Sequence, residues 1–269
     1  MHEETFFQVP RTRRKCSVGS FQLPIFYYDA SNVMVFVPAR REGVEQLLEG
    51  TGLEPALMVG NQAVVGISTY EYRDSDADAY NEVGVALPVF RAGHGRPLAG
   101  LAELFRAADE RELGFHIVDL PVTTEIANAA GREFWSFPKF VTDIDFEWQG
   151  SRFRCEVKQP DTGEPIMTLE GRSPALMPLP SLDLVLYSVH RSKLLRTRVD
   201  VRSSMHMRLP GSLRLSLGAG QHPMKERLET LGVDGARALA VFSTDRFQSR
   251  LNSGVPVGSP EEPAVSAAT

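Results

Sequence analysis

Residues 141–172 read VTDIDFEWQGSRFRCEVKQPDTGEPIMTLEGR, and they set the fold class. Ile144, Phe146 and Trp148 alternate with polar residues, and Phe153, Cys155 and Val157 do the same on the next segment. A period of two belongs to a strand with one dry and one wet face. Gly150-Ser151 turns the chain after the first segment, and the PDTGE stretch (160–164) turns it after the second. Three neighbouring segments therefore form an antiparallel meander.

Strand signals continue upstream. VMVFV (33–37) reads as a buried strand, and ALMVG (56–60) and NQAVVGISTYEYRD (61–74) read as strands after it. In YNEVGVALPVF (80–90), Asn81, Val83, Val85 and Leu87 make one strongly apolar face, while Tyr80, Glu82, Gly84 and Ala86 make the other. GFHIVDLPV (114–122) is a further strand. Helical spacing appears at 41–49, with Val44, Leu47 and Leu48 on one side and Gly50 as the stop, and at 97–109, with Leu98, Leu101, Leu104 and Phe105 in one stripe. TTEIANAAGREFW (123–135) reads as a helix capped by Thr123 or Thr124, ending before Pro138.

Downstream, DLVLYSVHR (183–191), LRTRVDVRSS (195–204), SLRLSLGAG (212–220) and ALAVFSTDRF (238–247) read as strands, and HPMKERLETLG (222–232) as a short helix. Arg196, Arg198 and Arg202 share one face, which is either solvated or able to hold a carboxylate. Strands outnumber helices and neighbour one another in sequence. The expected class is mainly β (α+β): an antiparallel β-barrel or cone with flanking helices. Residues 1–20 read as a polar, irregular arm with a basic run at Arg11, Arg13, Arg14 and Lys15. Residues 21–256 read as a single domain, and 257–269 as a disordered tail poor in residues to bury.

Lysine and arginine total 29 against 34 acidic residues, a net charge of -5 that disfavours nucleic acid as a partner. No apolar run reaches the length of a membrane-spanning helix, and the first residues lack the apolar stretch of a signal peptide. Two cysteines, Cys16 and Cys155, form no CxxC pair, which fits a reducing cytoplasm. Nucleophile-elbow, phosphate-loop and zinc-protease motifs are absent, and GHGRPLAG (93–100) has the wrong spacing for a dinucleotide loop. The six histidines lack metal-ligand spacing. Neither a metal nor a cofactor is expected, so any catalysis falls to ordinary side chains.

One side chain stands out. Only five of the basic residues are lysines, and Lys139 sits among Trp135, Phe137, Pro138, Phe140 and Val141. A lysine carried inside must find a partner or lose its charge. Imine formation needs the neutral amine. An ordinary lysine titrates near ~10.4, a nucleophilic one near roughly 7–8, and desolvation can supply a shift of that size. The alternative is a lysine whose stem packs on the aromatics while its ammonium reaches water or a carboxylate.

GREFWSFPK (131–139) resembles the active-site motif of the acetoacetate decarboxylase family, and AYNEVGVALPV (79–89) resembles that family's Y-x-E strand ending in Pro-Val. HPMKERL (222–228) is similar to a third family segment. The resemblance spans about residues 25–250. It implies a cone-like antiparallel barrel enclosing the lysine, in a homo-oligomer, with Lys139 as the Schiff-base lysine and Glu82 as the carboxylate facing it. Lysines of this family are a standing example of activation by desolvation or a neighbouring cation. Three departures accompany it. The family's second lysine, directly after the first, is Phe140 here. Its early arginine falls at Pro38, with Arg40 and Arg41 out of register. Its upstream glutamate falls near Ile67, with Tyr70, Glu71 and Tyr72 as candidate substitutes. The imine apparatus is kept and the decarboxylation apparatus is incomplete. The expected activity is a lysine Schiff-base lyase of aldolase, dehydratase or cyclase type on a small 2-oxo or 3-oxo acid, with Tyr80 and Trp135 shaping the pocket and Phe140 beside it. Arg132 and Glu133 either join the substrate site or pair with each other. Two alternatives are a β-oxo-acid decarboxylase and a non-catalytic barrel that binds a small ligand.

Overall fold

The computed structural model describes residues 5–94, 103 and 106–257. In chain order its strands begin with β1 (Thr12–Cys16), β2 (Gly19–Leu23) and β3 (Ile25–Ala39), then helix α1 (Arg41–Leu48). Next come β4 (Leu53–Pro55), β5 (Met58–Val59), β6 (Gln62–Ser75), β7 (Tyr80–Arg91) and β8 (Gly114–Val122), then α2 (Glu125–Trp135) and β9 (Lys139–Val141). The meander is β10 (Ile144–Gln149), β11 (Arg152–Lys158) and β12 (Pro165–Arg172). The chain continues through β13 (Ala175–Leu179), β14 (Leu184–His190), β15 (Lys193–Arg202), β16 (Met205–Arg208) and β17 (Arg214–Leu217), then α3 (Pro223–Leu231), β18 (Ala240–Leu251) and β19 (Val255–Pro256).

Seven strands close a barrel in the order β18–β3–β6–β7–β8–β14–β15, and β15 returns to β18 with Val199 opposite Leu251. Closure removes the edges that a sheet this long would otherwise expose. All neighbours are antiparallel except β8–β14. The meander joins β17 in a separate four-stranded sheet. That sheet, with α1 and α3, covers one outer side of the barrel.

This arrangement explains the two faces of β7. Val83, Val85, Leu87 and Val89 point outward into the largest core, where they meet Val33, Val35 and Val37 of β3 and Phe153, Cys155 and Leu169 of the meander. Tyr80, Glu82, Gly84 and Ala86 point into the barrel. The apolar face is thus the outer one, buried under a second layer, and the mixed face is the interior.

Some expectations are corrected and others extended. The segment read as an irregular arm is the hairpin β1–β2, so a domain boundary at 20/21 falls inside a strand. Its basic run divides: the Arg11 guanidinium donates to Asp76 and to the carbonyls of Pro24 and Gln22 and stands over the Phe26 ring, while Arg14 and Lys15 are exposed. The strand seen at 33–37 begins at Ile25. Thr124 occupies the α2 cap position without a side-chain bond, and Thr123 Oγ1 instead accepts from Asn81 N. Strands β13 and β16 carried no readable signal, because Pro178 and the methionines give no alternation.

Most of the helix expected at 97–109 and the tail expected after 257 lie outside the described residues. A short 3-10 turn covers Ala108–Glu110. The arginine face of β15 is occupied: Arg198 meets Asp109, Asp183 and Asp200, Arg196 donates to the Ala108 carbonyl, and Arg202 donates to Gln248. Both cysteines are free thiols. Among the described residues no helix is long and apolar enough to cross a membrane, and no cluster of ligand side chains is arranged for a metal.

Candidate active site

Strand β8 brings the two candidate ionisable groups together. On one edge it pairs antiparallel with β7, placing Glu82 opposite Val122. On the other it pairs parallel with β9, placing Lys139 opposite Leu120. Leu120 and Val122 are two apart, so Glu82 and Lys139 emerge on the same, inner face. The Lys139 ammonium donates to Glu82 Oε2 at 2.6 Å, with 5 % and 10 % of the two side chains exposed. The Tyr80 hydroxyl donates to the same oxygen at 3.3 Å, and the Lys139 nitrogen lies 5.6 Å from the Tyr80 ring centre, within cation–π range.

The turn into β9 is built by the GREFWSFPK segment. Helix α2 ends on Ser136 in the left-handed conformation, φ 53°. Phe137 N then donates to Gly131 O, and the Arg132 guanidinium donates to the Lys139 carbonyl at 2.7 Å. Gly131 faces the lysine stem so closely that a Cβ there would lie 2.4 Å from Lys139 Cε. Ala127, Ala130 and Gly131, spaced three and four apart, make the small inward face that lets α2 close over the lysine.

The pair opens on a cavity of about 100 Å³ inside the barrel, small beside the ~300–1,000 Å³ of common ligand sites. Trp135 closes one side, its indole N–H donating to Asn252 O. Tyr27, Tyr72 and Tyr80 pack in a row of tilted rings with centres 4.6 and 4.7 Å apart, and Tyr70 stacks on Tyr72 at 5.2 Å. Burial first, and the charge of Glu82 next, push the hydroxyls of Tyr27, Tyr72 and Tyr80 well above the ordinary tyrosine value. Burial pushes Tyr70 to about 12. All four are neutral hydrogen-bonding hydroxyls around neutral pH.

Lys139, Glu82, Tyr80 and Trp135 therefore meet as expected. The other three candidates do not line the cavity. Phe140 follows Lys139 on a strand, so it points to the opposite face, where its ring meets His222 at 4.8 Å. A cation at that position would face away from the amine. Glu133 points outward and holds the β1–β2 turn, accepting from Ser17 N at 3.0 Å and from the Ser17 hydroxyl. Arg132 makes no pair with it and serves the Lys139 backbone. Of the substitutes considered for the upstream glutamate, Tyr70 and Tyr72 line the cavity. Glu71 faces outward on Arg73, and Ile67 is in the outer core. Arg40 and Arg41 are outside the cavity too. Tyr27 and Gly131 were missed as site residues. Gly131 was legible, as the one small residue opening an aromatic motif. Tyr27 was not, because its place depends on β3 pairing with both β6 and β18.

The sequence pattern of the family described as acetoacetate decarboxylase (ADC) matches residues 8–197. No curated protein matches the chain. The acetoacetate decarboxylase of Legionella pneumophila is similar in structure, with a TM-score of 0.65 at 15% identity over 94% of this chain and 92% of that one. An acetoacetate decarboxylase-like enzyme from Sphingomonas wittichii RW1 superposes with a TM-score of 0.60 at 14% identity, over 87% and 92%. The enduracididine biosynthesis enzyme MppR, solved with pyruvate, gives 0.60 at 15% identity, over 88% and 91%. At these identities the likeness is one of fold.

Proposed function

Because the chain belongs to the acetoacetate decarboxylase family, we propose that it is an enzyme in which Lys139 Nζ condenses with the carbonyl of a small oxo compound. The observation that carries this reading is the Lys139–Glu82 contact, 2.6 Å long and enclosed in an apolar cavity. Proton transfer across that contact yields a neutral amine for attack on the carbonyl. The same carboxyl then returns the proton as the carbinolamine oxygen leaves as water. Tyr80, bonded to the accepting oxygen, orients the carboxylate for both transfers.

The resulting iminium is an electron sink. It stabilises an enamine for aldol, retro-aldol, dehydration or cyclisation steps, with Glu82 moving the protons at carbon. MppR has also been solved with the condensation product of pyruvate and imidazole 4-carboxaldehyde, and by analogy a carbonyl condensation is the reaction class favoured for this chain. A 2-oxo or 3-oxo acid offers the required carbonyl, and so does a ketone or an aldehyde. Borohydride reduction with a panel of such compounds, read by mass spectrometry, is expected to leave an adduct on Lys139 and none in Lys139→Ala. A panel that leaves no adduct at Lys139 ends the imine reading. Carbon dioxide release from acetoacetate, lost in the same variant, would identify a decarboxylase instead.

A further inference from the structure

The charge balance of the cavity bears on which carbonyl compounds it accepts. Among the described lining residues, Lys139 is the only cation and Glu82 the only anion. They form a one-to-one pair with a net charge of zero. The apolar part of the wall includes Met34, Phe36, Phe115, Ile117, Leu186 and Phe247. The remaining polar groups there are serine and tyrosine hydroxyls. The tyrosines stay neutral, because burial and Glu82 both raise their titration points, so they can hydrogen-bond a substrate but cannot offset its charge.

Imine formation by a neutral carbonyl compound leaves this balance unchanged. The ammonium nitrogen carries three protons. Two leave with the carbonyl oxygen as water, the C–O bonds break, the C=N bond forms, and one proton and one positive charge remain on the iminium. The carboxylate of Glu82 faces a cation before and after, and no proton is exchanged with solvent. An oxo-acid anion brings a second negative charge into the same space. Its binding requires one further proton from solvent, on Glu82 or on the substrate, because an uncompensated buried charge is disfavoured.

From this we infer that the cavity selects carbonyl compounds whose arm beyond the carbonyl is uncharged and apolar, namely ketones and aldehydes rather than oxo-acid anions. The inference rests on the imine reading of Lys139. It assigns specificity to the pairing of one cation with one anion, and to the apolar side chains of the wall.

The test uses isosteres with the full-length protein. 3-Methylbutan-2-one is pyruvate with the carboxylate replaced by an isopropyl group, and 4-methylpentan-2-one stands in the same relation to acetoacetate. Borohydride trapping at Lys139, titrated against each compound across the neutral pH range, gives apparent affinities. The ketones are expected to bind at least about tenfold more tightly than their oxo-acid isosteres at neutral pH, with no pH dependence. The oxo acids are expected to weaken about tenfold per pH unit, the mark of one proton taken up. Oxo acids that trap as tightly as the ketones, or that show no pH dependence, overturn the selectivity and leave the imine reading standing. Absence of any adduct at Lys139 with all four compounds overturns both.

Discussion

Lys139 and Glu82 hold each other in a place where neither charge is stable alone. Removing one partner of a buried pair strands the other, at a cost of about 3–5 kcal/mol, whereas replacing both with apolar groups is often neutral. Lys139→Met and Glu82→Leu are each expected to lower stability by about that amount, with the double variant Lys139→Met/Glu82→Leu more stable than either. Urea melts of the three proteins measure it, and simple additivity would mean that the two side chains are not coupled. At this scale the sequence was informative about identity and poor about direction. Lys139 stood out by its apolar flanks. Its neighbours Arg132, Glu133 and Phe140 shared the motif, yet helix rotation turns Arg132 and Glu133 outward and strand alternation turns Phe140 away.

Helix α2 and strand β9 form the element that presents the lysine. The helix brings Ala127, Ala130 and Gly131 to the cavity, and its last turn anchors the strand through the Arg132 bond to Lys139 O. A methyl group on Gly131 meets Lys139 Cε and Cδ, the outer part of a flexible chain, while alanine is the better helix former by about 1 kcal/mol. Gly131→Ala is therefore expected to lower stability by no more than the about 3–5 kcal/mol that separating the buried pair costs, and to lose at least about tenfold in the rate of imine trapping, since the amine is displaced. An unchanged trapping rate in a folded Gly131→Ala protein would show that the close approach does not set the amine's position. Elements with strict periodicity, such as β7, β10, β11 and α2, could be read from the chain. The β1–β2 hairpin could not, since its first strand is exposed along most of its length and has no apolar face to announce it.

Across the whole molecule, the barrel is held to its outer layer by a few polar ties as well as by the core. Asp119 on β8 is fully buried on the outer face, where the Arg227 guanidinium of α3 donates to both of its oxygens. Arg227 is 34% exposed. Losing the arginine leaves a carboxylate stranded in the core, whereas losing the carboxylate charge leaves a guanidinium that can reach water. Arg227→Leu is expected to cost about 3–5 kcal/mol and Asp119→Asn clearly less, measured by thermal unfolding. Equal losses would show that the carboxylate finds water or another donor.

What the sequence determined by itself was the alternation that makes strands, the small-residue helix, and a lysine among aromatics beside a strand carrying a lone glutamate. These are local properties, written in spacings of two, three and four residues. Only the tertiary structure decided that β8 lies between β7 and β9, that the mixed face of β7 turns inward, and that four tyrosines from three strands gather around Glu82. Those facts depend on pairings between segments as far apart as Tyr27 and Ser249, and no local period encodes which strand becomes the neighbour of which.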